Sequence, residues 1–177
     1  MDTLVASGAT LTVDASSFTT KTLTFNGAAE TIGSFKITGG AGADTLTGNG
    51  GLDKLDGKGG KDQFVLNKAV ATSAVTITDF TVADDVFALS NAAFAGAPAV
   101  GATLTVSAVA GATNSANTIL VNDGFEGANF SNVRFGYNTA TKELFYDADG
   151  NFSAGSILIA TTTNEVNLNA SNFAIVA

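Results

Sequence analysis

Apolar and polar residues alternate in short bursts along this chain, and no stretch holds helical apolar spacing over three turns. Leu11-Thr12-Val13, Leu23-Thr24-Phe25 and Phe35-Lys36-Ile37 recur about every twelve residues, separated by Gly, Ala, Ser or Asn. A period-two burst puts its apolar members on one face, so each predicts a short strand. Even spacing of such strands suggests a meander or the rungs of a β-solenoid. Val133-Arg134-Phe135-Gly136-Tyr137 and Glu143-Leu144-Phe145-Tyr146 flank the short turn NTATK and predict a hairpin. A further strand, Ser156-Ile157-Leu158-Ile159-Ala160, follows the turn DADGN. Residues 90–130, rich in Ala and Gly and holding the single proline Pro98, predict strands and loops with no evident chemistry.

From Gly39 a nine-residue period appears: GGAGADTLT (39–47), GNGGLDKLD (48–56) and GKGGKDQFV (57–65). Glycine opens each unit; Gly42, Gly51 and Gly60 stand fourth, Asp44, Asp53 and Asp62 sixth, and Leu46, Leu55 and Phe64 eighth. The pattern resembles the calcium-binding nonapeptide of repeats-in-toxin (RTX) proteins, whose units form a parallel β-roll. The first six residues must bend until backbone carbonyls converge, which glycine permits, and the sixth-place Asp supplies charge. The eighth residue points into the roll. Two units complete a turn, so units one and three stack, and one Ca2+ is expected between loops 39–44 and 57–62 with Asp44 and Asp62 as ligands. The candidate metal positions are Gly39, Ala41, Asp44, Gly48, Gly50, Asp53, Gly57, Gly59, Gly60 and Asp62. VTITDFTVADDVFAL (75–89) resembles the closing segment of the roll in secreted metalloproteases, with Ala83 where those carry glycine. Asp79 is the candidate to complete a second site with Asp53; alternatively Asp79 and Asp84 cap a hairpin.

Composition narrows the functions. Twelve Asp against four Glu favour tight turns and a hard cation. A net charge of −8 argues against nucleic acid as a partner. With no Cys and no His there is no disulfide, no usual zinc site and no His-based catalysis, and neither HExxH nor GxSxG occurs, so the chain is expected not to be an enzyme. The start MDTLVASGAT lacks the basic and apolar regions of a secretory signal, and no segment is long enough to span a bilayer. The turn Asp147-Ala148-Asp149-Gly150-Asn151 resembles the start of an EF-hand loop. Glycine stands fourth instead of sixth, however, and no Glu stands twelfth, so a plain turn is the leading reading and a third calcium site the alternative.

The nonapeptides, the DFTVADDVFAL closure, LFYDADGN and the terminal NFAIVA occur in this order in the C-terminal region of RTX proteins, including serralysin-type proteases and some S-layer proteins. The resemblance spans about residues 39–177, and residues 1–38 are similar to the Thr-rich strands before the repeats in S-layer relatives. It implies an all-β chain: a right-handed parallel β-roll with calcium-binding turns, then an antiparallel, sandwich-like C-terminal part. The expected divisions are rungs at 1–38, the calcium roll and its closure at 39–89, and a C-terminal region with a secretion signal at 90–177. It also implies a secreted or cell-surface protein. The partners would be a type I secretion apparatus: an ABC transporter, a membrane-fusion protein and an outer-membrane channel. The leading function is a calcium-triggered folding and export module. The alternative is an S-layer or adhesin subunit that self-assembles through calcium, and a third reading is the tail of a hydrolase. Deleting 172–177 is expected to abolish export yet spare calcium binding, since the ligands lie about a hundred residues upstream.

Overall fold

The computed structural model describes residues 5–48, 52–69, 74–108, 117–124, 132–150, 152, 155–164 and 167–177. Its strands are β1 (Thr10–Asp14), β2 (Thr24–Asn26), β3 (Ser34–Thr38), β4 (Thr45–Thr47), β5 (Lys54–Asp56), β6 (Gln63–Leu66), β7 (Val75–Ile77), β8 (Val86–Ser90), β9 (Thr105–Ser107), β10 (Thr118–Asn122), β11 (Phe135–Asn138), β12 (Glu143–Tyr146), β13 (Ile157–Thr162) and β14 (Phe173–Val176). A 3-10 turn, Ala170–Asn172, precedes β14.

Consecutive strands of the first half go to opposite layers. One sheet runs β1-β3-β5-β7-β13-β12-β11-β10-β9, and the other runs β14-β8-β6-β4-β2. β1, β3, β5 and β7 pair in parallel, as do β2, β4, β6 and β8. That is a two-layered parallel roll. Parallel strands in one layer cannot be joined by a tight turn; here the chain crosses to the other sheet and back, so both connections stay short.

Alternation then explains the core. In the five-stranded sheet Phe25, Leu46, Phe64, Phe87 and Phe173 stand in one register row. In the other, Val13, Ile37, Leu55, Ile77 and Thr162 do the same. Leu46, Leu55 and Phe64, the eighth residues of the three units, are fully buried. Phe80 fills the space between layers, stacked on Phe87 at 4.4 Å between ring centroids, and Phe87 stacks on Phe173 at 5.6 Å.

The C-terminal part departs from expectation. Among its described strands only β11–β12 and β12–β13 are antiparallel; β9–β10, β10–β11, β13–β7 and β14–β8 are parallel. The two short turns seen in the sequence do join antiparallel neighbours. The longer connections, by contrast, carry the chain back to extend the roll's own sheets. β13 continues the nine-stranded sheet because Ala160 and Thr162 prolong the rows of Val75 and Ile77. β14 continues the other because Phe173 prolongs the phenylalanine row.

Candidate metal centre

Each passage from the nine-stranded to the five-stranded sheet makes a turn at the same edge. The turns 15–23, 39–44, 57–62 and 78–85 therefore stack there as a column. Backbone bonds clip them together: Ala41 N–H donates to Phe18 O at 2.7 Å, and Gly59 N–H to Gly40 O at 3.0 Å. Asp44, Asp62 and Asp85 each reach back to the preceding turn. Asp44 Oδ1 accepts from Leu23 N–H at 2.6 Å, Asp62 Oδ1 from Asp44 N–H at 2.8 Å, and Asp85 Oδ1 from Asp62 N–H at 3.0 Å. These links hold the carboxylates in a row, all nearly inaccessible to solvent.

The second oxygens differ. Asp44 Oδ2 accepts from Gly40 N–H at 2.7 Å. In unit three the corresponding donor, Lys58 N–H, is taken by Asp79 Oδ2 at 2.6 Å, while Asp79 Oδ1 takes Gly57 N–H at 2.9 Å. Asp62 Oδ2 is consequently buried with no hydrogen-bond partner. Burial first, and with it the charges of Asp85, Asp44 and Asp79, push the Asp62 carboxyl up to about 7 against the hydrogen bond from Asp44 N–H. Asp79 is raised to about 6, by burial first and then by the adjoining Asp56 carboxyl. Asp56, despite its own burial, is held low by Asp79 and by Lys58, whose ammonium lies at 2.9 Å. Burial also raises Asp85. Beside these groups a cavity of about 310 Å³ opens between Lys61, Asp62, Asp84, Asp85 and the Asn172 turn.

The opening glycines complete the geometry. A Cβ on Gly39 would strike Asp44 Oδ2 and come within 2.6 Å of Gly57 O; one on Gly57 would strike Asp62 Oδ2, and one on Gly48 would strike Asp53 Oδ2. Backbone carbonyls and carboxylates therefore crowd the same space, the donor set a hard cation takes. Among the described residues no three acidic side chains converge as a ready-made metal cluster. The turns supply carbonyls where another site would need a third carboxylate.

Two expectations are corrected. Asp79 does not face Asp53. β5 and β7 are parallel, Asp53 precedes β5 and Asp79 follows β7, so the two stand at opposite edges. Asp53, fully buried, instead accepts from Phe35 N–H at 2.8 Å at the other edge. Nor is 78–85 a hairpin, because β7 and β8 lie in different sheets. Ala41, Gly59 and Gly60 fall in the column, while Gly50, in unit two, lies outside the described residues. The residue missed was Asp85. Its signal was legible: Asp44-x-Leu46, Asp53-x-Leu55, Asp62-x-Phe64 and Asp85-x-Phe87 share one spacing. The terminus is also closer than its numbering suggests, for Asn172 Nδ2 donates to Val82 O and Asp85 O, both at 2.9 Å.

Residues 36–64 match the family of the RTX calcium-binding nonapeptide repeat, in a description of four copies. This stretch is a run of RTX calcium-binding repeats. Neither a curated protein nor a solved structure matches the chain. RTX nonapeptides bind Ca2+, and the column built by Asp44, Asp62 and Asp85 fits that ion. Proteins with such repeats are typically secreted or surface-exposed. No helix among the described residues is long and apolar enough to cross a membrane.

Proposed function

We propose that this RTX roll is a calcium-triggered folding element, with Asp44, Asp62, Asp79 and Asp85 as the carboxylate ligands at one edge and Asp53 at the other. The carbonyls of the opening loops, Gly39, Ala41, Gly57 and Gly59 among them, supply the remaining oxygens. The observation that carries the reading is Asp62 Oδ2, a buried carboxylate oxygen without a hydrogen-bond donor. Burying an uncompensated carboxylate is costly, and a divalent cation is the partner that removes the cost. Without calcium, the acidic column repels itself and opposes folding. In millimolar calcium, weak extracellular-type sites fill and stabilise the folded state by mass action.

The same switch suits passage through a type I secretion apparatus, which needs an unfolded chain inside the cell and a folded one outside. The terminal strand that would carry the export signal is paired to β8 in the folded state. Far-UV circular dichroism in chelator and in millimolar calcium tests the folding element. Calcium should raise both the β signal and the melting temperature, and an unchanged spectrum and melt would refute it. Secretion of a passenger fused ahead of residue 1, with the transporter co-expressed, tests the export role separately.

A further inference from the structure

The turn Asp147-Ala148-Asp149-Gly150 carries a second pair of carboxylates, far from the acidic column. β12 runs against β13, so the turn between them lies at the edge opposite the stacked loops 39–44, 57–62 and 78–85. Asp147 is 2% exposed. Its Oδ1 accepts from Asp149 N–H at 3.0 Å and Gly150 N–H at 2.9 Å, which closes the turn. Its Oδ2 is buried and has no hydrogen-bond partner. The exposed Asp149 carboxylate adjoins it, and burial together with that neighbour raises the Asp147 carboxyl above its ordinary value.

Two carboxylates in contact are both acceptors when ionised. Asp147 Oδ2, buried and without a donor, is satisfied beside that neighbour by a shared proton or a cation. Asp149 stands at the surface, so an ion here keeps an open side, where water completes the six to eight oxygens Ca2+ takes. We propose that the turn is a separate calcium site, with Asp147 Oδ2 and the Asp149 carboxylate as its protein ligands. It lies outside the nonapeptide pattern, and it would pin the β12–β13 connection where the chain rejoins the roll.

Tyrosine-sensitised terbium luminescence of the full chain tests this, with terbium as the probe and calcium as competitor. The chain has two tyrosines and no tryptophan. Tyr146 directly precedes Asp147, whereas the Tyr137 hydroxyl lies 2.6 Å from Thr162 Oγ1, at the end of β13 that pairs with Ile77 beside the column, so the measurement is made in a Tyr137→Phe background, where sensitised emission reports this turn. Saturable emission displaced by calcium is expected. Asp147→Asn and Asp149→Asn should each weaken it tenfold or more while the calcium-dependent circular dichroism persists. Asp149 is exposed, so its variant folds whatever Asp147→Asn does. No sensitised emission, or affinity unchanged in both turn variants, would overturn the site and leave a shared proton as the partner of Oδ2. The outcome is independent of the roll, whose failure would show in the dichroism alone.

Discussion

Asp62→Asn should change stability in opposite directions with and without calcium. The amide keeps an oxygen for Asp44 N–H and places an uncharged group where Oδ2 has no partner. Displacement of the carboxyl from its ordinary 3.8 to about 7 corresponds to an ionisation cost on the order of 4 kcal/mol above neutral pH. Solvent access through the adjoining cavity lowers the effective cost, so about 1–3 kcal/mol of relief is expected. For a chain of this size that is a rise in melting temperature of roughly 2–10 °C in chelator at pH 8. In calcium the variant loses a charged ligand. A site held at about a hundred times its Kd contributes about 2.7 kcal/mol, and most of one such contribution should vanish. Scanning calorimetry of both proteins in chelator and in calcium gives the four midpoints. A variant that melts lower in chelator would show that Asp62 is not an uncompensated charge. An undiminished calcium shift would show that it is not a ligand.

Three further outcomes follow from the same geometry. Asp62 and Asp79 have folded-state values of about 7 and about 6, so the folded chain holds protons that the unfolded chain has released. The stability they lend is full below about pH 4 and is lost as pH rises through 6 and 7; melting in chelator should fall from pH 5 to pH 8, and a rise would contradict this. Gly60→Ala should cost about 1–3 kcal/mol or more, because φ is +118° and the new Cβ would sit 2.5 Å from Gly42 O. Gly101→Ala, with φ +72° and open space around it, pays the strain alone and should melt higher than Gly60→Ala. Phe87→Ala removes the ring between Phe80 and Phe173 and should cost about 3–5 kcal/mol, with calcium and without it.

Local chemistry that repeats was legible from residues alone. The nonapeptide spacing announces the turns, the buried eighth residues and the carboxylates Asp44, Asp53 and Asp62, because each unit's conformation depends on its own glycines and its own Asp. The turn NTATK announces a hairpin for the same reason: Asn138 Oδ1 accepts from Ala140 and Thr141 N–H within the turn itself. What the sequence left open is which turn lies over which. Asp79 and Asp53 are separated by strand direction, which belongs to a parallel sheet and not to any segment of chain. Asp85 joins the column because Phe87 takes the row of Leu46 and Phe64, and Asn172 reaches it because β14 lies beside β8. Deleting 172–177 therefore removes Phe173 from its stack and Asn172 from the carbonyls of Val82 and Asp85, and calcium binding should weaken with it. Spacing along the chain determines a turn; only the packing of the sheets determines its neighbours, since register is set by rows of side chains drawn from distant parts of the chain.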